Sequence, residues 1–204
     1  MAGIGTDKND ELGVSYFKRA AEKNYQPANV KLSECYFYGR GVSKNEATAL
    51  SYAREGLNNA DPESLHVLGR VTYLSDAKYS FKLFMDAALS GYPPAMFDVA
   101  IGYYMGYGVI KNYEEALKWS YITQANGSMI NDIFYKVNRN QIDKLESLLG
   151  PVASASIRNN ARLTSDAIDS RNKAKASEYS GEKDSPKKIR TGSGVLHYSW
   201  ARLG

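Results

Sequence analysis

Apolar and small residues recur along the chain at helical spacing, and the same order of residues appears twice. Residues 16–53 and 83–120 align without a gap at an offset of 67, and 14 of the 38 aligned positions are identical. Self-similarity at a fixed period indicates a repeat protein, in which each unit is one small supersecondary element. An offset of 67 residues is too long for a single pair of helices, so it contains two units.

The sequence pattern of a unit predicts two helices, A and B, joined by a glycine turn. Helix A starts after a proline, which suits the first helical turn because its missing N–H is no loss there. Apolar residues then follow at helical spacing, as in Ala28, Leu32 and Tyr36. Glycines end helix A because they reach positive φ without a steric penalty. The glycine pairs are Gly39 with Gly41 and Gly106 with Gly108. Asn45 and Asn112 are the predicted N-caps of helix B.

The repeat units differ in length. A partial unit covers residues 11–27, and full units cover residues 28–62, 63–93 and 94–127. The middle unit lacks the Gly-x-Gly-Val segment, and Tyr73-Leu74-Ser75-Asp76 is predicted to form a tighter turn in its place.

The repeat decays after Gly127. Apolar residues at helical spacing within residues 128–163 predict degenerate capping helices, which an array needs in order to cover its last apolar face. From about Thr164, charged and small polar residues dominate, and such a segment buries too little surface to offset its ordering entropy. Residues 164–204 are therefore predicted to be a disordered linker and tail.

The pattern Ala-x-x-x-Leu-x-x-x-Tyr-x-x-Gly-x-Gly-Val, followed by Ala-x-x-(Trp/Tyr), resembles the Sel-1-like repeat, a relative of the tetratricopeptide repeat. The matching residues are Ala28, Leu32, Tyr36, Gly39, Gly41, Val42, Ala49 and Tyr52, and again Ala95, Val99, Tyr103, Gly106, Gly108, Val109, Ala116 and Trp119. Ser33 and Ala100 depart from the glycine that the family has after its leucine.

This resemblance covers about residues 12–127. It implies an all-α fold: a right-handed α-α solenoid of helical hairpins with a helical C-terminal cap, over residues 11–163. The implied function is that of a scaffold or adaptor for protein–protein interaction, which holds a peptide or protein partner on its concave helix-A face. Such repeats share one core and bind unrelated ligands, so the partner itself is left open.

A short segment near the end of the chain supports a second hypothesis. Arg190-Thr191-Gly192-Ser193-Gly194-Val195 resembles the opening of trypsin-like proteases of the HtrA type. A protease needs a histidine, an aspartate and a nucleophilic serine after this point, whereas the sequence stops at Gly204. The chain would then be the inactive N-terminal regulatory part of a longer trypsin-like serine protease.

Composition argues against several other classes of function. The net charge is +4, with Lys and Arg interspersed among Asp and Glu, so a nucleic-acid partner is not expected. A single cysteine, Cys35, excludes an internal disulfide and a paired-cysteine metal site. The sequence shows neither a secretory signal nor an apolar run of membrane length, so we expect a cytoplasmic protein without a membrane partner. We expect no catalysis, cofactor or metal, because the sequence shows no nucleophile–base pair, cofactor fingerprint or metal-ligand cluster.

The resemblance to tetratricopeptide arrays also places the partner-binding groove, because helix A lines the concave face in those arrays. Aligning Leu32-Ser33 with the Leu-Gly pair of the family gives eleven groove positions. They are Glu34, Phe37 and Tyr38 in the first full unit, His66, Arg70, Tyr73 and Leu74 in the middle unit, and Phe97, Ile101, Tyr104 and Met105 in the third. Aromatic residues, Met and Arg are enriched in interface cores, which favours a binding surface. The alternative is that about half of these side chains pack against helix B of their neighbours.

Overall fold

Antiparallel helical hairpins follow one another along the chain. The computed structural model describes residues 9–57, 61–126, 132–184, 187–190 and 196–199. The helices in these ranges are α1 (Asp10–Glu22), α2 (Gln26–Tyr38), α3 (Glu46–Gly56), α4 (Pro62–Thr72), α5 (Ala77–Leu89), α6 (Pro93–Met105), α7 (Tyr113–Ala125), α8 (Asp132–Leu149) and α9 (Pro151–Asp184). From α1 to α8, each helix packs on the next along the chain, and α2 also packs on α4. This is the predicted all-α solenoid.

Helices α2, α4 and α6 are the A helices of three hairpins, and α3, α5 and α7 are their B helices. Each A helix has a proline in its first turn, as the sequence predicted. The side chains of Asn45 and Asn112 accept hydrogen bonds from the backbone N–H groups of Thr48 and Glu115, which confirms both predicted N-caps. Asp76 caps α5 in the same way, directly after the short turn of the middle unit.

Left-handed glycines end two of the A helices. Gly39 and Gly106 are the C-caps of α2 and α6, with φ of 69° and 72°. Gly41 and Gly108 also have positive φ, of 68° and 71°, in the turns that follow. An L-residue rarely adopts this conformation, which explains why the repeat has glycine at both positions.

The core lies between the A and B helices and uses equivalent positions in successive units. Leu32, Leu68 and Val99, one from each A helix, are at most 1% exposed. Ala49 and Ala116 are completely buried in the facing B helices, where a small side chain lets the helix axes approach closely. Ser33, at the position where the Sel-1-like repeat has glycine, donates its buried hydroxyl to the carbonyl oxygen of Ala49 at 2.8 Å.

The last two helices cap the array in an unusual way. Helix α8 packs on α7 where the A helix of a fourth unit would lie, but α9 packs mainly on α7 and only slightly on α8. The interface with α7 is partly polar: Asn138 donates to the carbonyl oxygen of Ser120 at 3.0 Å, and Asn126 donates to the hydroxyl of Ser165 at 3.0 Å.

The predicted linker from residue 164 needs correction, because α9 continues without a break to Asp184. Ser165 and Ile168 are buried, and the Arg171 guanidinium donates to the carbonyl oxygen of Leu89. One buried isoleucine and a row of small polar residues are enough to hold this part of the helix in place. Beyond it, Lys187–Arg190 and Leu196–Ser199 pair as two short antiparallel strands, β1 and β2. Of the protease-like segment, Arg190 ends β1 and residues 191–195 lie outside the described residues.

Candidate functional site: the surface of the A helices

Equivalent positions of the predicted groove have similar burial in the three units. The position of Val30, His66 and Phe97 is buried in all three units, at 5%, 5% and 7% exposure. Two further positions are half-buried: that of Glu34, Arg70 and Ile101, and that of Phe37, Tyr73 and Tyr104. The position of Tyr38, Leu74 and Met105 is exposed, at 38%, 84% and 62%.

His66 and Phe97 therefore belong to the interior, and nine of the eleven predicted side chains reach the surface at least in part. We call these nine the A-helix face: Glu34, Phe37, Tyr38, Arg70, Tyr73, Leu74, Ile101, Tyr104 and Met105. Contacts between successive A helices hold this face together.

Tyr38 and Arg70 link α2 to α4 at the C-terminal ends of these helices. The Arg70 guanidinium lies over the Tyr38 ring at 5.2 Å, and Arg40 lies 4.8 Å from the same ring. Such cation–π contacts hold the ring in place while Tyr38 remains partly accessible to solvent. Burial raises the pKa of the Tyr38 hydroxyl and the charge of Glu34 adds to this, against the opposing effect of Arg70. Tyr38 is thus a neutral hydrogen-bonding group next to two cations.

An ion pair links the same two helices nearer their N-terminal ends. Lys31 Nζ lies 2.5 Å from Glu63 Oε1 and 3.4 Å from Glu34 Oε2. Burial lowers the pKa of Lys31, but the hydrogen bond to Glu63 and the two carboxylate charges outweigh it, so the net pKa is raised. These side chains are more than 30% exposed, so the pair orients Glu34 but contributes little to stability.

His66 connects α4 to α6 below the surface. Its Nε2 lies 2.7 Å from Asp98 Oδ2. The imidazole ring also contacts the rings of Phe84 and Tyr92, at centroid distances of 5.6 and 5.2 Å. His66 is buried, hydrogen-bonded and surrounded by aromatic rings, and it therefore holds the two units together.

Aromatic contacts continue the A-helix face towards the cap. Tyr73 stacks on Tyr107 with ring centroids 4.0 Å apart, and the Tyr107 hydroxyl donates to the carbonyl oxygen of Tyr73. On α6, Tyr104 contacts the Tyr113 ring at 5.7 Å, and Lys144 of α8 lies over the Tyr104 ring at 5.4 Å. The surface therefore extends from α2 to α8.

The sequence prediction missed Asp98, Tyr107 and Lys144, each of which contacts a residue that was predicted. A signal was present for two of them, because the contacting residues lie about one unit apart. His66 and Asp98 are 32 positions apart, as are Tyr38 and Arg70, and Tyr73 and Tyr107 are 34 apart. A search for complementary side chains at the unit length finds such pairs.

The cysteine is poorly placed for chemistry. Burial raises the pKa of the Cys35 thiol, and the negative charge of Glu34 raises it further, so the reactive thiolate is disfavoured. Within the described ranges, no group of three or more His, Cys, Asp or Glu residues is placed to hold a metal ion. In the same part of the chain, no helix has the length and hydropathy needed to cross a bilayer.

Comparison with known families finds one repeat family in parts of the chain. The sequence model described as Sel1 repeat matches residues 1–25, 26–61 and 93–121. These three segments are similar to Sel1 repeats. The matched segments include α1, the α2/α3 hairpin and most of the α6/α7 hairpin. The Sel1 match omits residues 62–92, where the Gly-x-Gly-Val segment is missing, yet α4 and α5 form a hairpin there as well.

Two curated proteins are similar to this chain. A chitin synthase regulator from Saccharomyces cerevisiae is 27% identical over 137 residues, which is 60% of this chain and 20% of the yeast protein. An uncharacterized protein from Neisseria meningitidis serogroup B is 27% identical over 108 residues, or 48% of this chain and 23% of that protein. The chain thus spans about a fifth of the length of these relatives.

Two solved structures are also similar. One is a Sel1 repeat protein from Oxalobacter formigenes, with 24% identity and a TM-score of 0.46, covering 63% of this chain and 98% of that chain. The other is c5321, a protective antigen present in uropathogenic Escherichia coli strains that displays an SLR fold. It has 18% identity and a TM-score of 0.49, covering 88% of this chain and 45% of that chain.

Proposed function

We propose that the protein is an adaptor that binds a peptide or protein partner along the A-helix face. The observation that carries the proposal is the row of exposed side chains Tyr38, Leu74 and Met105, one from each unit, on a surface whose neighbouring side chains are fixed by contacts between helices. A row of apolar and aromatic side chains on a rigid support suits an interface core. A fixed surface also loses little side-chain entropy when a partner binds.

The composition of the face gives the partner several ways to bind. Tyr38 and Tyr104 offer aromatic surface with a polar end, and Arg70 and Glu34 offer charges of both signs. The yeast relative is named as a regulator of chitin synthase, and regulation through a bound protein is a role that such an array can perform. In this proposal the protein acts by binding a partner and does not itself catalyse a reaction.

The proposal is tested with three alanine variants and a matched control. Tyr38→Ala, Arg70→Ala and Tyr104→Ala each remove one part of the A-helix face. Tyr79→Ala is the control, because Tyr79 lies on the B helix α5 and is 40% exposed, close to the 38% of Tyr38. The partner is captured from native lysate with the wild-type chain, identified by mass spectrometry and produced in pure form. Its Kd is then measured for each variant.

We expect each variant of the A-helix face to raise Kd at least tenfold, about 1.4 kcal/mol. The control is expected to bind like the wild type, and all four chains should keep the helical circular dichroism spectrum. Unchanged binding by all three face variants would show that the partner uses another surface. Unfolding of the face variants would show that these residues are core.

A further inference from the structure

A cleft opens where the two capping helices diverge. Helices α8 and α9 both pack on α7 but touch each other over a short stretch only. Between them lies a cavity of about 550 Å³, with Ile142 and Ala161 among the residues that line it. This volume is within the range of small-ligand sites. The cavity is on the cap, and none of its lining residues belongs to the A-helix face.

Three guanidinium groups line this cap cleft from both walls. Arg139 comes from α8, and Arg158 and Arg162 come from α9. Among the described lining residues, the carboxylates are Glu146 and Asp166, and Arg139 pairs with a third, Asp143, which lies outside the lining. Guanidinium groups favour oxyanions because their planar fork donates two parallel hydrogen bonds to a carboxylate or phosphate group.

Arg158 is held in position by a network that joins all three helices. The hydroxyl of the buried Tyr121, on α7, donates to Glu146 Oε1 at 2.5 Å. Arg158 Nη2 donates to the same carboxylate oxygen and, at 3.3 Å, to the Tyr121 hydroxyl. The Arg158 guanidinium also lies 4.9 Å from the centre of the Tyr121 ring. A donor fixed in this way needs little reorganisation when a ligand arrives.

Donor groups remain for a ligand after these contacts are made. In the described part of the chain, both hydrogen bonds of Arg158 come from Nη2, which leaves its Nε and Nη1 groups for another acceptor. Among the described residues, the contacts of Arg162 are long, at 3.5 Å to Asp166 and 3.4 Å to Asn159, and its side chain is 66% exposed. Arg139 uses its Nε group for Asp143, at 3.2 Å. Each guanidinium can therefore turn at least one pair of N–H groups towards the cleft.

We propose that the cap cleft is a binding site for a small oxyanion ligand, one that carries a carboxylate or a phosphate group. Arg158 is the fixed anchor, and Arg162 and Arg139 close on the ligand from opposite walls. Ile142 and Ala161 offer an apolar contact for the rest of the molecule. This site is independent of the partner surface on the A helices.

The test is isothermal titration of the full chain with two probes, phenyl phosphate and benzoate. Sodium chloride at matched ionic strength gives the baseline. Arg162→Gln is the informative variant because the contacts of Arg162 with the described residues are long. Arg158→Lys keeps the charge and removes the planar fork. Arg54→Gln is the matched control, because Arg54 is an exposed arginine of α3, far along the chain from the cap.

We expect saturable binding of at least one probe by the wild type, with a Kd below about 1 mM. Arg162→Gln should weaken that binding at least threefold and Arg158→Lys at least tenfold, while Arg54→Gln leaves it unchanged. The stronger of the two probes identifies a phosphate or a carboxylate as the preferred group. Absence of saturable binding up to about 10 mM, or binding that Arg162→Gln leaves unchanged, would overturn the proposal.

Discussion

Gly108 lies so close to Ala77 that a Cβ atom on the glycine would come within 2.1 Å of the Ala77 carbonyl oxygen. Gly41 has the same relationship to Asp10, where the corresponding distance is 2.3 Å. In both cases the glycine turn packs against the first residue of an earlier helix, Asp10 of α1 or Ala77 of α5. Glycine is needed there for two reasons, its positive φ and the absence of a side chain.

These two reasons can be separated by experiment. Gly106 and Gly108 have nearly the same φ, but a Cβ on Gly106 would meet only Lys111, at 3.2 Å. Gly106→Ala should therefore cost about 1–2 kcal/mol, the penalty of the left-handed conformation alone. Gly108→Ala should cost more than about 3 kcal/mol, because backbone atoms must also move. Chemical denaturation measures both, and equal losses would contradict the role of the close contact.

Much of the fold was predictable because its determinants are local. Asn45 and Asn112 cap their helices by accepting a hydrogen bond from the backbone N–H group three residues later. Gly39 and Gly106 end theirs because each adopts a positive φ. The continuation of α9 was not predicted, because the face that it buries is formed by Ala161, Ser165 and Ile168. In the sequence, small and polar side chains at helical spacing cannot be distinguished from a solvent-exposed segment. Their burial is evident only when α7 is known to lie beside them.

A second prediction concerns the contact between His66 and Asp98. Asp98→Ala leaves the buried Nε2–H of His66 without its acceptor, and we expect a loss of about 1–3 kcal/mol in the free energy of unfolding. Asp98→Asn keeps an acceptor and should cost less. The comparison is made by urea denaturation at neutral pH. An Asp98→Ala chain as stable as the wild type would mean that the pair does not brace the units.

The same pair shows why the candidate site was only partly predictable. The groove positions were assigned from the alignment of Leu32-Ser33, which fixes the position along helix A but not how deeply each side chain is buried. His66 and Phe97 are buried, as is Val30 at the equivalent position of the first full unit. The contacts of Asp98 and Lys144 depend on stacking between units, which no single helix reveals.

A third prediction concerns acid stability. The hydrogen bond from Tyr121 and the charge of Arg158 hold the pKa of Glu146 below its ordinary value of 4.5. Since the folded-state pKa is lowered, the stabilising contribution is complete above about pH 4.5 and is lost as the pH falls through the folded-state pKa. Glu146→Gln should thus reduce stability at pH 7 and reduce it less at pH 3. The half-exposed Asp143 provides the control variant, Asp143→Asn, with little effect expected at either pH. A pH-independent difference between Glu146→Gln and wild type would refute the assignment.

The last prediction tests how firmly α9 is packed. Ile168 is 4% exposed and Arg171 binds the carbonyl oxygen of Leu89, whereas residues 173–178 are all exposed. A protease cuts where the backbone can leave its helix, so trypsin sites beyond the last anchor should be cut first. Among the sites from Arg158 to Lys175, we expect cleavage after Lys173 or Lys175 to precede cleavage after Arg162, as followed by mass spectrometry. Ile168→Glu places a charge in the buried position and should bring cleavage after Arg162 forward, while Ala167→Glu, on the exposed side of the same helix, should not. Early cleavage of the wild type after Arg162 would show that this part of α9 leaves α7 readily, as the original linker prediction requires.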